Sequence, residues 1–342
     1  MDWFSTLFLG VDGITNGAVY ALVGLSLVLV YTTTRVVNVA QGEFLTFGAL
    51  SFASFMEGSL TSLLYVVLGT GAVCLLLDAL QAMRFRRSPL KLVIRYGVCG
   101  TILTALAYAA CHTSSTVLQM GAALALVATM GPLIYRLTVE PNPGNSPVVL
   151  LICSVGVSLI LHPLALLLWG ADPRTVPPLS DLRFSVANVD IAMQSVIILS
   201  AAIVMTAALF LFFRFSLVGK ALRAASINRD GALYCGIPVG VVGRLSYFIA
   251  AGMSALSGML LAPLVTANYE MGFVVGLKGF VGATMGGLIN YPLSLAGVFL
   301  VGVFESFSSF FSSSLRDAWV FSLVIPILLW RSTRLGGELN EH

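Results

Sequence analysis

IAMQSVIILSAAIVMTAALFLFF, residues 191–213, contains no Asp, Glu, Lys or Arg. A hydrocarbon core about 30 Å thick needs roughly 20 apolar helical residues, so this stretch predicts a membrane-spanning helix. On its N-terminal side Gly170–Asp190 is rich in Pro and Asp and predicts a loop. On its C-terminal side Phe215–Gly240 runs for 26 residues, too long for a tight turn and too polar to span. Gly236 and Pro238 punctuate its end, and Lys220, Arg223, Ala224, Ala225, Ile227 and Leu233 predict a short helix within it. This stretch reads either as a solvated loop or as a docking surface for a cytoplasmic partner.

The same reading, carried outward, finds apolar runs at Ile14–Tyr31, Gly42–Met56, Leu60–Gln81, Leu92–Cys111, Thr116–Leu137 and Val148–Trp169. It then finds Val241–Pro263, Gly272–Ile289, Leu293–Phe311 and Ala318–Trp330. The expected fold is an all-α integral membrane protein, a polytopic transmembrane helix bundle of about 8–11 spans forming one domain over residues 1–342. Gly42–Met56 is short and Gly272–Ile289 is Gly-rich, so each predicts a broken or re-entrant helix. Such elements persist only when buried in protein or lining a cavity.

Composition agrees. The chain is 58% hydrophobic and 10% charged, with a mean hydropathy of +0.97. An ordinary soluble domain is about 25% charged, so this chain cannot coat a water-soluble globule of its size. A net charge of +3 does not point to nucleic acid. Cys74, Cys99, Cys111, Cys153 and Cys235 show no metal-type spacing and read as reduced core residues. His112, His162 and His342 are far apart in sequence, with no second ligand near any of them, so no metal and no cofactor is expected. Gly219-Lys220 continues into Ala221 and lacks the earlier glycine of a phosphate loop. No nucleophile elbow or His-Glu-x-x-His is present, so an enzyme is not expected.

Basic residues set the expected orientation. Arg84, Arg86, Arg87, Lys91 and Arg95 form one cluster, Arg214, Lys220, Arg223 and Arg229 a second, and Arg331 and Arg334 a third. The positive-inside rule puts all three in the cytoplasm, together with Arg35 and Arg136. Asp2 and Asp12 with no Lys or Arg before Arg35 argue against a signal peptide and for an external N-terminus. The C-terminus is then cytoplasmic and Gly170–Asp190 external.

Charges inside spans are costly and carry a functional hypothesis. Lys278 and Glu305 lie at matching distances from the turn around Asn290–Pro292. They read as a buried ion pair that fixes helix register or as a gate on a pathway. Gly272, Gly276, Gly279, Gly282 and Gly286 share one helical face, for close helix packing or for a narrow conduit. Asn38, Gln41, Gly42 and Glu43 gather at the start of the short second run. They read as ordinary interfacial polarity or as groups capping a broken helix beside a cavity. Asn16 and Asn268 are lone polar residues near external ends, and Asp78 near Arg84 reads as a helix-end charge pair.

Four motifs then occur in an order similar to that of the branched-chain amino acid ABC transporter permeases of the Liv type. Asn38-Val39-Ala40-Gln41-Gly42-Glu43 resembles the family's Asn-Phe-Ala-His-Gly-Glu, preceded by Asn16-Gly17-Ala18-Val19-Tyr20-Ala21-Leu22. Gly219-Lys220-Ala221-Leu222-Arg223-Ala224 resembles its Gly-Arg-Ala-x-Arg-Ala. Gly276-Leu277-Lys278-Gly279-Phe280 and Gly286-Gly287 resemble Gly-Met-Lys-Ala-Phe and Leu-Gly-Gly. Val39 and Gln41 depart from the first motif, Asn290-Tyr291-Pro292-Leu293 replaces a Gly-Ser-x-x-Gly turn, and Leu60–Ser115 looks like two added helices. Arg223 stands where the wider importer pattern has Glu before Ala224-Ala225, and Gly231 lies further on than that pattern expects.

The resemblance implies one membrane subunit of an importer in a bacterial-type inner membrane, surrounded by lipid and paired with a second permease or a copy of itself. Two cytoplasmic ATPases and an external solute-binding protein would be its partners. Gly219, Lys220, Arg223, Ala224, Ala225, Asp230 and Gly236 would couple to the ATPase. Asn38, Gln41, Gly42, Glu43, Lys278, Gly279 and Glu305 are the path candidates. A branched-chain amino acid is the default solute, with urea or short amides as alternatives. An ion-coupled secondary transporter would want more paired charges at the midplane and two related halves.

Overall fold

The computed structural model describes residues 3–84, 90–141, 146–180, 182–186, 189–313, 315–327 and 329. Six helices come first: α1 Trp3–Thr34, α2 Gln41–Met56, α3 Leu63–Arg84, α4 Leu90–His112, α5 Thr116–Thr138 and α6 Pro147–Trp169. A hairpin of β1 Arg183–Val186 and β2 Val189–Ala192 follows, within the stretch expected to be a loop. The rest is α7 Met193–Phe215, α8 Leu217–Ile227, α9 Arg229–Tyr234, α10 Val239–Leu261, α11 Met271–Met285, α12 Tyr291–Phe311 and α13 Arg316–Ser322.

Eight of these are long and apolar enough to cross a membrane: α1, α3 to α7, α10 and α12. The two runs that looked broken are the short α2 and α11. The last run, expected as one span over Ala318–Trp330, is interrupted among its described residues by a turn at Leu323. Arg86, Arg87, Arg331, Arg334 and His342, and the side chains of Arg84, Lys91, Arg229 and Asp230, lie outside the described residues.

The bundle is built around α2. Every residue from Gln41 to Phe55 is buried, as a largely apolar helix inside a bundle demands, and α1, α5, α6, α10 and α11 enclose it. The outer helices are far barer: only 11% of the apolar window of α4 and 17% of that of α7 is covered. Inside lipid no hydrophobic force drives helices together, so contact rests on small residues that let backbones close in. Gly13 and Gly17 of α1 serve this role: a Cβ on either would strike the backbone of α12 at Val303 or Phe299.

Sequence expectations need three corrections here. First, α1 begins at Trp3, so Asp12 lies inside it and not ahead of it. Its carboxylate accepts from Asn16 Nδ2 at 3.2 Å and from Ser306 Oγ on α12 at 2.9 Å. Second, only Cys74 of the five free cysteines is buried; Cys99 is exposed on the outer helix α4 and Cys235 at the end of α9 in the polar segment. Third, the partner found for Asp78 among the described residues is Arg136 on α5, at 2.5 Å, joined by Tyr96 at 2.9 Å, the side chain of Arg84 lying outside them.

Candidate functional site

Residues 35–40 form the joint between α1 and α2. Arg35 closes α1 in the left-handed conformation, φ 58°, and its Nη2 donates to the carbonyl of Ser226 at the end of α8, 2.8 Å away. The chain then turns back into the bundle. Gln41 Nε2 lies 2.8 Å from the carbonyl of Ala250 and 2.7 Å from Ser254 Oγ. Ala250 is about three turns into α10, so α2 starts deep inside the bundle and not at its rim.

The polar groups here satisfy one another across four helices. Gln41 Nε2 also reaches Ser26 Oγ of α1 at 2.9 Å. Asn38 Nδ2 donates to Gln41 Oε1 at 3.0 Å, and Ser154 Oγ of α6 donates to Asn38 Oδ1 at 3.3 Å. No side chain caps α2, so the capping expected of Asn38 and Gln41 is replaced by mutual side-chain bonds. Gly42 is the close approach: a Cβ there would collide with the carbonyl of Gly272 on α11.

Glu43 is the exception to this satisfaction. Its side chain is 1% exposed. Oε1 accepts from Ser158 Oγ at 3.2 Å and lies 3.5 Å from His162 Nδ1, both on α6. Oε2 is buried and has no hydrogen-bond partner. His162 packs its ring against Tyr269 and Phe273, with centroids 5.6 and 6.2 Å away. Phe273 also bounds an apolar cavity of about 190 Å³, together with Asn38, Gln41, Gly42, Gly276, Leu277 and Phe280, while Glu43 itself does not line it.

Lys278, on the opposite side of α11 at 100° per residue, belongs to a second cluster. It meets Glu305 as the spacing predicted: Lys278 Nζ donates to Glu305 Oε1 at 2.7 Å, each residue 3% exposed or less. Three partners escaped the sequence reading. Tyr20 Oη donates to Glu305 Oε2 at 2.6 Å, Arg316 Nε lies 3.3 Å from Glu305 Oε1, and Asp317 Oδ1 lies 2.8 Å from Lys278 Nζ. Gly279 packs against α1 at Tyr20 and Gly24. The glycines of α11 serve close packing: Gly272 and Gly276 meet α2, Gly282 meets α12, and Gly286 meets Asn290 and Ser294, with Gly276 also at the cavity wall.

The polar segment is two helices, α8 and α9. Ser216 caps the first by accepting from Val218 N at 3.2 Å, and Asn228 caps the second by accepting from Gly231 N at 2.9 Å. Gly219, Leu222 and Ala225 face the bundle, while Lys220, Arg223 and Ala224 are exposed. Leu217, Ile227 and Tyr234 expose apolar surface there, at 82, 74 and 92%. Gly236 ends the segment with φ 78°.

Comparisons with known proteins agree with this architecture. A family model described as a branched-chain amino acid transport system permease component matches residues 10–330. LivH, a high-affinity branched-chain amino acid transport system permease protein of Salmonella typhimurium, is 28% identical over 335 residues, covering 96% of this chain and 94% of LivH. LivH of Escherichia coli (strain K12) is 27% identical over the same shares, and BraD of Pseudomonas aeruginosa 25%. No solved structure matches the chain. With eight apolar spans among the described residues and a family match over most of its length, the chain belongs to the family of branched-chain amino acid transport system permease components.

Proposed function

We propose that this permease carries a branched-chain amino acid through a groove between α6 and α11 whose floor is the start of α2. The observation that carries the reading is Glu43. A buried carboxylate oxygen without a partner costs several kcal/mol, and here it belongs to the residue that follows Gln41 and Gly42, which line an apolar cavity of about 190 Å³. An α-ammonium group would satisfy Oε2. The uncapped N-terminus of α2 suits the α-carboxylate, because a helix start carries partial positive charge. The apolar cavity suits the branched side chain better than urea or a short amide, which have none. Lys278, Gly279 and Glu305 serve on this reading as the scaffold that holds α11 against α1 and α12.

A second permease subunit closes the open side of the groove. Two ATPases dock on the exposed face of α8 and α9, through Lys220, Arg223 and Ala224 and the uncovered Leu217, Ile227 and Tyr234, with Asp230 in the same segment. A solute-binding protein delivers at the other end, where Arg174 joins Glu57 at 2.6 Å. The N-terminus is external and the C-terminus cytoplasmic. Helices α3 and α4 are additions to the family's common bundle.

The test is uptake by the chain reconstituted in vesicles with its ATPases and binding protein. Leucine uptake should require ATP, compete with valine and isoleucine and not with urea, and fall at least tenfold in Glu43→Gln. Uptake driven by an ion gradient without ATP, or competition by urea alone, overturns the proposal. Arg223→Glu should lose ATPase co-purification while the chain stays monodisperse. Ala225→Glu would not make that distinction, since Ala225 is packed under α8.

A further inference from the structure

We infer that the outer face of the bundle holds one anionic phospholipid in a groove between α3, α4, α5 and α10. The groove is a hollow of about 630 Å³, apolar along its length, running from Val93 to Thr104 on α4. At 1.5 Å per residue that is about 16 Å, half of a hydrocarbon core about 30 Å thick. The hollow therefore matches one leaflet. In a bilayer such a space is filled by acyl chain, since an empty one forfeits dispersion contacts on every wall.

The walls are hollow by sequence. A Cβ added at Gly71 on α3 or Gly97 on α4 would meet nothing within 4 Å. These glycines differ from those of α1, α2 and α11, where a Cβ would strike a neighbouring backbone. They bring no helix closer, and their missing side chains leave room for something that is not protein.

The charge at one end selects the headgroup. Arg95, Arg136 and Arg244 line the groove at the end of the bundle that carries α8 and α9. Arg136 is bound by Asp78 at 2.5 Å and Arg244 by Glu140 at 2.5 Å. Arg95 is exposed and has no carboxylate partner among the described residues. One uncompensated guanidinium at the mouth of a leaflet-long apolar groove fits a phosphodiester headgroup whose acyl chain lies along α4. Basic pockets between transmembrane helices recognise anionic lipids on this principle.

The test uses the full-length chain in bilayer discs of equal phosphatidylglycerol and phosphatidylcholine, then stripped with detergent, with retained lipid counted by native mass spectrometry. Wild type should retain phosphatidylglycerol preferentially. Arg95→Gln should keep a lipid but lose the preference by about fivefold, the effect of one basic group near an anionic surface. Gly71→Leu/Gly97→Leu should retain none while remaining monodisperse and helical, because the new side chains occupy open space and leucine favours helix over glycine. Equal retention of both lipids by wild type, or retention unchanged in either variant, overturns the inference. So does a glycine variant that keeps its lipid but fails to assemble with its partner subunits, which would make the groove a protein interface.

Discussion

Glu305 and Glu43 are the same residue type, both buried in apolar surroundings, and their environments are opposite. Glu305 accepts from Tyr20 and Lys278 and has Arg316 at 3.3 Å. Glu43 has one serine, a histidine at 3.5 Å and an oxygen with no partner. A fully partnered carboxylate locks helices together and has nothing left to offer a solute. A half-partnered one keeps the desolvation cost and leaves a vacancy. Burial alone does not mark a functional charge inside a membrane protein; unfilled hydrogen-bonding capacity does.

The largest effect should come from breaking the saturated cluster. Lys278→Met takes the buried cation from Glu305 and leaves it Tyr20 and the half-exposed Arg316, and removing one partner of a buried pair costs about 3–5 kcal/mol. Thermal denaturation of the purified chain should show that loss, with Lys278→Met/Glu305→Gln recovering part of it. Additive damage in the double variant would mean that the two residues act separately, and the comparison would break.

Next comes Gly42→Ala, whose methyl would push α2 from α11 at the Gly272 carbonyl. Overpacking of this kind costs about 1–3 kcal/mol. It should widen the cavity beside Phe273, so leucine affinity should fall together with melting temperature. Glu43→Gln preserves shape and keeps a hydrogen-bonding group, so its melting curve should move by less than about 1 kcal/mol while transport collapses. A large stability loss there would place Glu43 with Glu305 as scaffold. Smallest in stability is Arg35→Ala, within about 0.5 kcal/mol for an exposed side chain. ATP hydrolysis by the assembled importer should continue in it while leucine uptake per ATP drops.

The helices and the Lys278–Glu305 pair were legible because both rest on spacing along one chain. Ten apolar runs became helices within a few residues of their expected ends, apart from the start of α1. The pair followed from equal distances to a shared turn. What spacing could not supply was lateral neighbours. Asp78 was assigned the nearest arginine in sequence and found Arg136 across a helix interface. His162 looked isolated although Ser154, Ser158 and His162 recur every fourth residue, a polar stripe on an otherwise apolar helix that could have been read. Arg316 and Asp317 sit at a helix start after a short loop, where charges are common and signal little. The depth of Gln41 was also hidden: sequence places it after a turn, and only the packing of α2 against α10 shows how far the chain re-enters.

The Arg35–Ser226 bond joins α8 to a six-residue joint that contains Asn38 and leads directly into Gln41. On the proposed reading, the groups that choose the solute and the groups that feel the motor are neighbours on one short piece of chain. Natural variation in residues 35–40 then cannot tune one property alone. A lineage that changes its nutrient must retune its engine with it, and substitutions here should travel with compensating changes around Ser226. Relatives with new solutes are the place to look for that correlation.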